Sequence, residues 1–258
     1  MNRTLDGNPM DETSMAFLRE CCPPEGYWVA FSGGKDSVVI LDLVRRSGCK
    51  HEAHYNITNV DPPELVRFIK REYPDVKRDH PDKNMWRLIA ENGLPCRTVR
   101  FCCKHLKERG GVGRYVVTGI RHAESLARRH RGPIERDNRS NLRAGESRVL
   151  IHPIFNWLDL DVWQYIHERG IPSCELYQQG WRRIGCVLCP FAPDLRGNSR
   201  RYPKLFAAGL RALRRYYALP HRHANKKYAT ADERWEVWLD NVSSKEGARR
   251  RTCDGLFV

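Results

Sequence analysis

Four short apolar or alternating runs punctuate the first two thirds of the chain. They are "YWVAF" at 27–31, "HEAHYNIT" at 51–58, "RYVVTG" at 114–119 and "RVLIHPI" at 148–154. Each has the length and composition of a strand. Longer-period segments lie between and after them. "DSVVILDLVRR" (36–46) is apolar on most faces, which predicts a buried helix. "PPELVRFIKREY" (62–73) opens on prolines and carries Leu65, Phe68 and Ile69 on one face. Shorter helices are predicted at 84–93, 102–111 and 121–131, the last strongly basic. Another at 158–170 starts near Asp and stops at Gly. From residue 199 the pattern is helical. Strand–helix alternation predicts an α/β fold: a Rossmann-like, mostly parallel sheet with helices on both faces, plus a C-terminal helical annex. The implied division is 1–26 as an extension, 27–195 as the main domain and 196–258 as annex and tail. The segment 129–148 has no periodicity and reads as a long, mobile loop.

A length of 258 residues suits one large α/β domain, alone or with a small annex. No stretch approaches the apolar length of a membrane span, and the first residues lack the apolar core of a signal peptide. A cytosolic protein with no membrane partner is the expectation. Lys and Arg outnumber Asp and Glu by 45 to 31, a net charge of +14. That excess attracts polyanions such as nucleic acid or phosphorylated small molecules, unless it is merely a basic surface. Ten cysteines in a chain of this size, with no secretory signal, favour metal ligation or redox chemistry over a disulfide framework.

The stretch "SGGKDS" follows the first predicted strand and opens the buried helix. Gly33 and Gly34 permit positive φ and close backbone approach. Backbone amides and the helix N-terminus then converge where an anion is favoured. Lys35 adds a mobile cation, and Ser32 and Ser37 add hydroxyls. Asp36 could cap the helix or hold magnesium. The spacing is not that of a Walker loop. The alternative is an ordinary strand–turn–helix corner.

These residues resemble the pyrophosphate loop of the adenine-nucleotide α-hydrolase-like superfamily, the N-type ATP pyrophosphatases. The rest of the chain is similar to the phosphoadenosine phosphosulfate (PAPS) reductase family, closest to its prophage-type branch. The similarity runs through "NITNVDPPELVRFIK", "RFCCKHLKERGGVGRYVVTGIRHAES", "IHPIFNWLDLDVWQYI" and "GWRRIGCVLCPFAP", covering roughly residues 28–245. It implies the family's Rossmann-like sheet. "TGIRHAESLARR" resembles the family's Gly-x-Arg-x-x-x-Ser-x-x-Arg element, here Gly119, Arg121, Ser125 and Arg128. Arginine forks suit a second phosphate or sulfate clamp, whereas a solvated basic helix face is the alternative. Asp61 stands where an acid could meet a ribose hydroxyl, or serve only as a helix N-terminal charge.

Cys102 and Cys103 are adjacent, and Cys186 and Cys189 form a C-x-x-C pair. Two pairs of thiols suit zinc or an iron–sulfur cluster. Adjacent side chains diverge, which strains one tetrahedral ion and suits the separate corners of a cubane. The resemblance implies the same: a 4Fe–4S cluster on Cys102, Cys103, Cys186 and Cys189, with zinc or plain thiols as alternatives. Cys96 could substitute as a ligand. Lys104 and Lys107 could tune the cluster or touch phosphate. Near the end, "RRRTCDGLFV" departs from the Glu-Cys-Gly-Leu-His motif of the family's sulfonucleotide reductases, leaving Cys253 a weak candidate nucleophile.

Three readings follow. In the first, Mg-ATP adenylates an acceptor with release of pyrophosphate, and a sulfur donor displaces AMP. The acceptor is DNA, tRNA or a small molecule, and Lys35, Asp36 and Arg121 act on the phosphates. In the second, adenylyl sulfate or PAPS is reduced to sulfite by Cys253 with a thiol reductant. In the third, the chain is a non-catalytic nucleotide- or nucleic-acid-binding module, using the basic loop and the stretch 210–228. That stretch also reads as an amphipathic helix with Leu210, Leu213 and Tyr217 inward.

Overall fold

The computed structural model describes residues 7–137, 147–220 and 228–243. These described residues divide into two compact units: those within 1–56, 63–79 and 110–184 form one, and those within 57–62, 80–109 and 185–258 the other.

The first unit holds the sheet. Its strands are β1 (Tyr27–Phe31), β2 (His51–Asn56), β3 (Lys77–Asp79), β4 (Tyr115–Val117), β5 (Ile134–Asp137) and β6 (Arg148–Ile151), in the order β3-β2-β1-β4-β6-β5. All neighbours are parallel except β5 and β6. The expected α/β, Rossmann-like, mostly parallel sheet is therefore present. Its helices are α1 (Met10–Glu20), α2 (Lys35–Ser47), α3 (Pro63–Glu72), the short α6 (Leu126–Arg129) and α7 (Asp159–Arg169). The second unit is helical: α4 (Met85–Asn92), α5 (Phe101–Leu106), α8 (Leu195–Arg201), α9 (Pro203–Tyr217) and α10 (Ala231–Ser243).

Helix α2 is the central pillar of the sheet unit. Val38, Val39, Ile40, Leu41, Leu43 and Val44 are all buried, each contributing about 1.5–3 kcal/mol relative to exposure. The helix packs on β1 and between α1 and α7. Alternation on β1 sends Tyr27 toward α1, where its hydroxyl donates to the Leu18 carbonyl at 2.8 Å. Trp28 points the other way and packs with Val116 and Leu150. In the helical unit Asn84 caps α4 by accepting from the Arg87 amide at 2.9 Å, and Asp194 caps α8 through the Gly197 amide at 2.7 Å.

Several expectations change. The predicted basic helix at 121–131 is a 3₁₀ turn at 122–124 and a single α-turn at 126–129. Ser125 breaks it with extended backbone, φ −168° and ψ 159°. The segment expected to be one loop supplies β5, whose polar sequence "IERD" hides a strand signal. Helix α1 and β3 were not expected; β3 is three polar residues long. Residues 138–146 and 221–227 of the basic stretches lie outside the described residues. In the rest of the second stretch Leu213 is buried, while Leu210 and Tyr217 are half-buried.

Strand β5 is fastened by charge. Arg148 Nε donates to Asp137 Oδ2 at 2.8 Å, and both side chains are buried. Removing one partner strands the other without water. Arg148→Ala is expected to lower stability by about 3–5 kcal/mol, read as a drop in the urea midpoint. The double variant Arg148→Met/Asp137→Leu should recover most of it.

Candidate functional site

The strand order reverses between β1 and β4: β2 leaves on one side of β1 and β6 follows β4 on the other. In open α/β sheets this switch point opens a crevice at the carboxyl ends of the strands. Two loops meet there, Ser32–Gly34 after β1 and Thr118–Arg121 after β4.

Gly33 has φ +71°, and a Cβ on it would lie 2.8 Å from side-chain atoms of Leu65 and Ile69. Only glycine fits this turn. Ser32 Oγ donates to Ser37 Oγ at 3.3 Å, and Ser37 Oγ to the Gly34 carbonyl at 2.8 Å. The amides of Gly33, Gly34 and Asp36 have no hydrogen-bond partner among the described residues. The Lys35 amide differs from expectation, because it donates to Tyr177 Oη at 2.8 Å. Burial pushes the Tyr177 phenol up, so the hydroxyl keeps its proton.

The second loop approaches the first closely. A Cβ on Gly119 would sit 2.9 Å from Asp36 Cβ. Two residues on, Arg121 is 3% exposed. Its Nε donates to Asp36 Oδ1 at 2.7 Å and its Nη2 to Asp159 Oδ1 at 2.8 Å. Lys35 Nζ lies 3.2 Å from Asp36 Oδ2 and 3.1 Å from Asp159 Oδ1. Two cations and two carboxylates thus close a ring. Partial burial works to raise the Asp159 pKa, but Lys35 and Arg121 together outweigh it and hold the carboxyl below its usual range. The two acids are hard oxygen donors of the kind magnesium takes.

Arg128 lies toward the same ring. Burial lowers its pKa first, then repulsion from Arg183, Arg131 and Arg121, against attraction from Asp36. Its guanidinium is also paired with Glu124. Ser125 is exposed. Sequence reasoning brought Ser32–Ser37, Gly119, Arg121 and Arg128 together, but missed Asp159 and Tyr177. Asp159 was visible only as an acid near a helix start, and Tyr177 had no signal.

Behind the β4 loop lies a relay. Thr118 Oγ1 is 2.7 Å from His152 Nδ1, and His152 Nε2 is 3.1 Å from Glu135 Oε1. Arg131 Nε lies 2.5 Å from the same Glu135 oxygen.

The helical unit gathers the other predicted residues. The Cys102, Cys103, Cys186 and Cys189 thiols lie close enough to repel one another as thiolates. The Cys102–Cys103 hydrogen bond raises the Cys102 pKa and lowers that of Cys103, the latter aided by Lys107 and Arg100. Burial pushes Cys186 up to about 12, opposed by Lys107. Cys186 Sγ also sits 3.5 Å from Asp61 Oδ1, so Asp61 stands beside the thiols. No group of three or more His, Cys, Asp and Glu has a metal-holding arrangement among the described residues. Cys96 is not among the free thiols, and its sulfur accepts from the Val99 amide at 3.3 Å. Cys253 lies outside the described residues. No described helix is long and apolar enough to cross a membrane.

Residues 26–192 match the phosphoadenosine phosphosulfate reductase domain. The chain belongs to that family. It is 28% identical over 226 residues to the uncharacterized protein MJ0973 of Methanocaldococcus jannaschii, covering 80% of this chain and 53% of that one. A second protein of that organism, MJ0066, is 30% identical over 73% of this chain and 41% of its own length. The chain therefore spans about half the length of these archaeal relatives. The adenosine 5'-phosphosulfate reductase of Oceanobacillus iheyensis is 26% identical, over 62% of this chain and 69% of that one. Among solved structures, the PAPS reductase of Candida auris in a phosphate complex superposes with a TM-score of 0.49 at 19% identity, covering 72% of this chain and 97% of that chain.

The relay gives a pH-dependent outcome. Burial lowers the His152 pKa from 6.5, opposed by Glu135. A histidine depressed on folding contributes stability above its unfolded value and loses it as pH falls through the folded one. Wild type should therefore lose stability below pH 6.5, and His152→Gln should flatten that decline. Urea midpoints at about pH 8 and pH 5.5 check it. The Glu135 carboxyl, held below 4.5, acts in a lower window.

Proposed function

We propose that the switch-point loops bind the phosphates of an adenine nucleotide and that the chain is an ATP pyrophosphatase-type adenylating enzyme coupled to sulfur transfer. One observation carries this reading: three unpartnered amides at Gly33, Gly34 and Asp36 stand beside Lys35 and Arg121. This is a donor array for an oxyanion that gains charge. An acceptor oxygen attacks the α-phosphorus, the bond to the bridging oxygen breaks, and pyrophosphate leaves with the electron pair. Lys35, Arg121 and the free amides stabilise the leaving group. For this the Tyr177 hydroxyl yields the Lys35 amide to a phosphate oxygen, and Lys35 turns from its carboxylates toward the nucleotide. Arg128, and Ser125 beside it, extend the clamp.

Asp36 and Asp159 would hold magnesium, which supplies charge neutralisation on the phosphates. Cys102, Cys103, Cys186 and Cys189 would hold a 4Fe–4S cluster, which supplies a site to carry or position sulfur; zinc is the alternative occupant. Asp61 and Lys107 set the charge around those thiols. The acceptor in this reading is a nucleic acid, DNA or tRNA, consistent with the net charge of +14.

A second reading is favoured by the reductase names of the bacterial relatives. In it adenylyl sulfate or PAPS occupies the same loops, and a cysteine thiolate attacks the sulfate sulfur and displaces the nucleotide. A thiol reductant then releases sulfite.

The assays separate the two. Anaerobically purified protein is expected to be brown, with broad absorption near roughly 400 nm; a colourless protein with stoichiometric zinc would replace the cluster by zinc. Adenylation predicts pyrophosphate release from Mg-ATP on adding acceptor, with Lys35→Ala slower by about a hundredfold or more. Sulfite release from adenylyl sulfate, abolished in Cys253→Ser, would overturn it in favour of reduction.

A further inference from the structure

The helical unit presents an aromatic ring with two guanidiniums against it that the nucleotide chemistry does not use. Phe191 is 49% exposed. The guanidiniums of Arg97 and Arg100 each lie over its ring, 5.6 Å from the centroid. Arg97 is held by its Nε, which donates to the Pro190 carbonyl at 3.0 Å. Arg100 precedes α5, so its place is set by the helix start. Burial cannot account for a large apolar ring left half in solvent. Local ion pairing is also absent for part of this patch, because Arg100 and Lys104 have no carboxylate partner among the described residues. From Gly93 to Lys107 the chain carries Arg97, Arg100, Lys104 and Lys107 and no acid, and Gly185–Pro193 carries none either.

A flat aromatic and guanidinium stack flanked by two acid-free, cation-bearing stretches of chain fits one class of partner. Bases stack on the planar groups and phosphates meet the cations. An acidic peptide would use the charges but not the exposed ring. A duplex keeps its bases stacked inside and cannot use the ring either. We propose that Phe191, Arg97 and Arg100 form a docking platform for single-stranded nucleic acid. The proposal rests on the nucleic-acid acceptor named above and says where the strand is held. Phe191 is two residues from Cys189 and Arg100 two from Cys102, so a strand on this platform lies beside the four thiols.

The test uses the full chain, purified anaerobically, and no ATP, so it stands apart from the adenylation assay. Fluorescence anisotropy is measured with labelled oligothymidylate and oligouridylate of roughly 20 nucleotides, an abasic strand of equal length, a duplex, and heparin. Wild type is expected to bind base-bearing single strands about tenfold or more tighter than the abasic strand. Phe191→Ala should lose that preference, and Phe191→Trp should keep it. The double variant Arg97→Lys/Arg100→Lys keeps the charge but removes the planar stack. That variant should retain the salt dependence while losing base preference, whereas Arg100→Gln should flatten the salt slope by about 0.7 per lost phosphate contact. Visible absorption checks that each variant retains the metal content of wild type. Equal binding of abasic and base-bearing strands by wild type overturns the proposal. So does tighter binding of heparin or duplex, or a Phe191→Ala variant that binds like wild type. Failure of pyrophosphate release with base-selective binding intact would overturn adenylation and leave the platform standing.

Discussion

The contact between Arg121 and Asp36 holds the switch point together. A guanidinium almost wholly removed from water reaches from the β4 loop to the first turn of α2. Burying a charge is costly unless it is paired and hydrogen-bonded. Arg121 meets that condition with Asp36, Asp159 and the Trp157 carbonyl. Three segments far apart in sequence are thereby fixed by one side chain. The close approach of Gly119 to Asp36 has the same origin, since no Cβ could stand where the arginine draws the loops together.

The two units divide the chemistry. The parallel sheet provides a crevice at its switch point, with amides and paired charges. The helical unit provides thiols, a buried acid at Asp61 and a basic, aromatic surface. Each set is internally coherent. Hard oxygens and amides suit phosphate and magnesium, and soft sulfur suits zinc or iron.

Much of the first set was legible along the chain. A strand, two glycines, a lysine and a buried helix follow one another without a break from Tyr27 to Ser47, so local spacing alone defines the loop. The Cys-Cys and C-x-x-C pairs were legible for the same reason. Asp159 and Tyr177 were not, because each reaches Lys35 across more than a hundred residues; the helix start at Asp159 was legible, but its partner was not. The relay through Thr118, His152 and Glu135 was hidden because its glutamate lies on β5, whose polar residues carry no alternation. Ser125 misled in the opposite direction: a run rich in helix formers breaks there, as the chain turns to place Arg121 and Arg128.

The ring formed by Lys35, Asp36, Arg121 and Asp159 carries no net charge. A resting loop of this kind offers an anion its unpartnered amides but no side-chain cation of the ring that is not already paired. A bare phosphate or sulfate must pull the cations from acids they already hold, and it gains only the exchange. A nucleotide arriving with its own divalent ion instead offers each side a new counter-charge, so the swap is balanced. In the proposed reading, neutrality at rest would act as a filter, favouring the metal–nucleotide pair over small oxyanions.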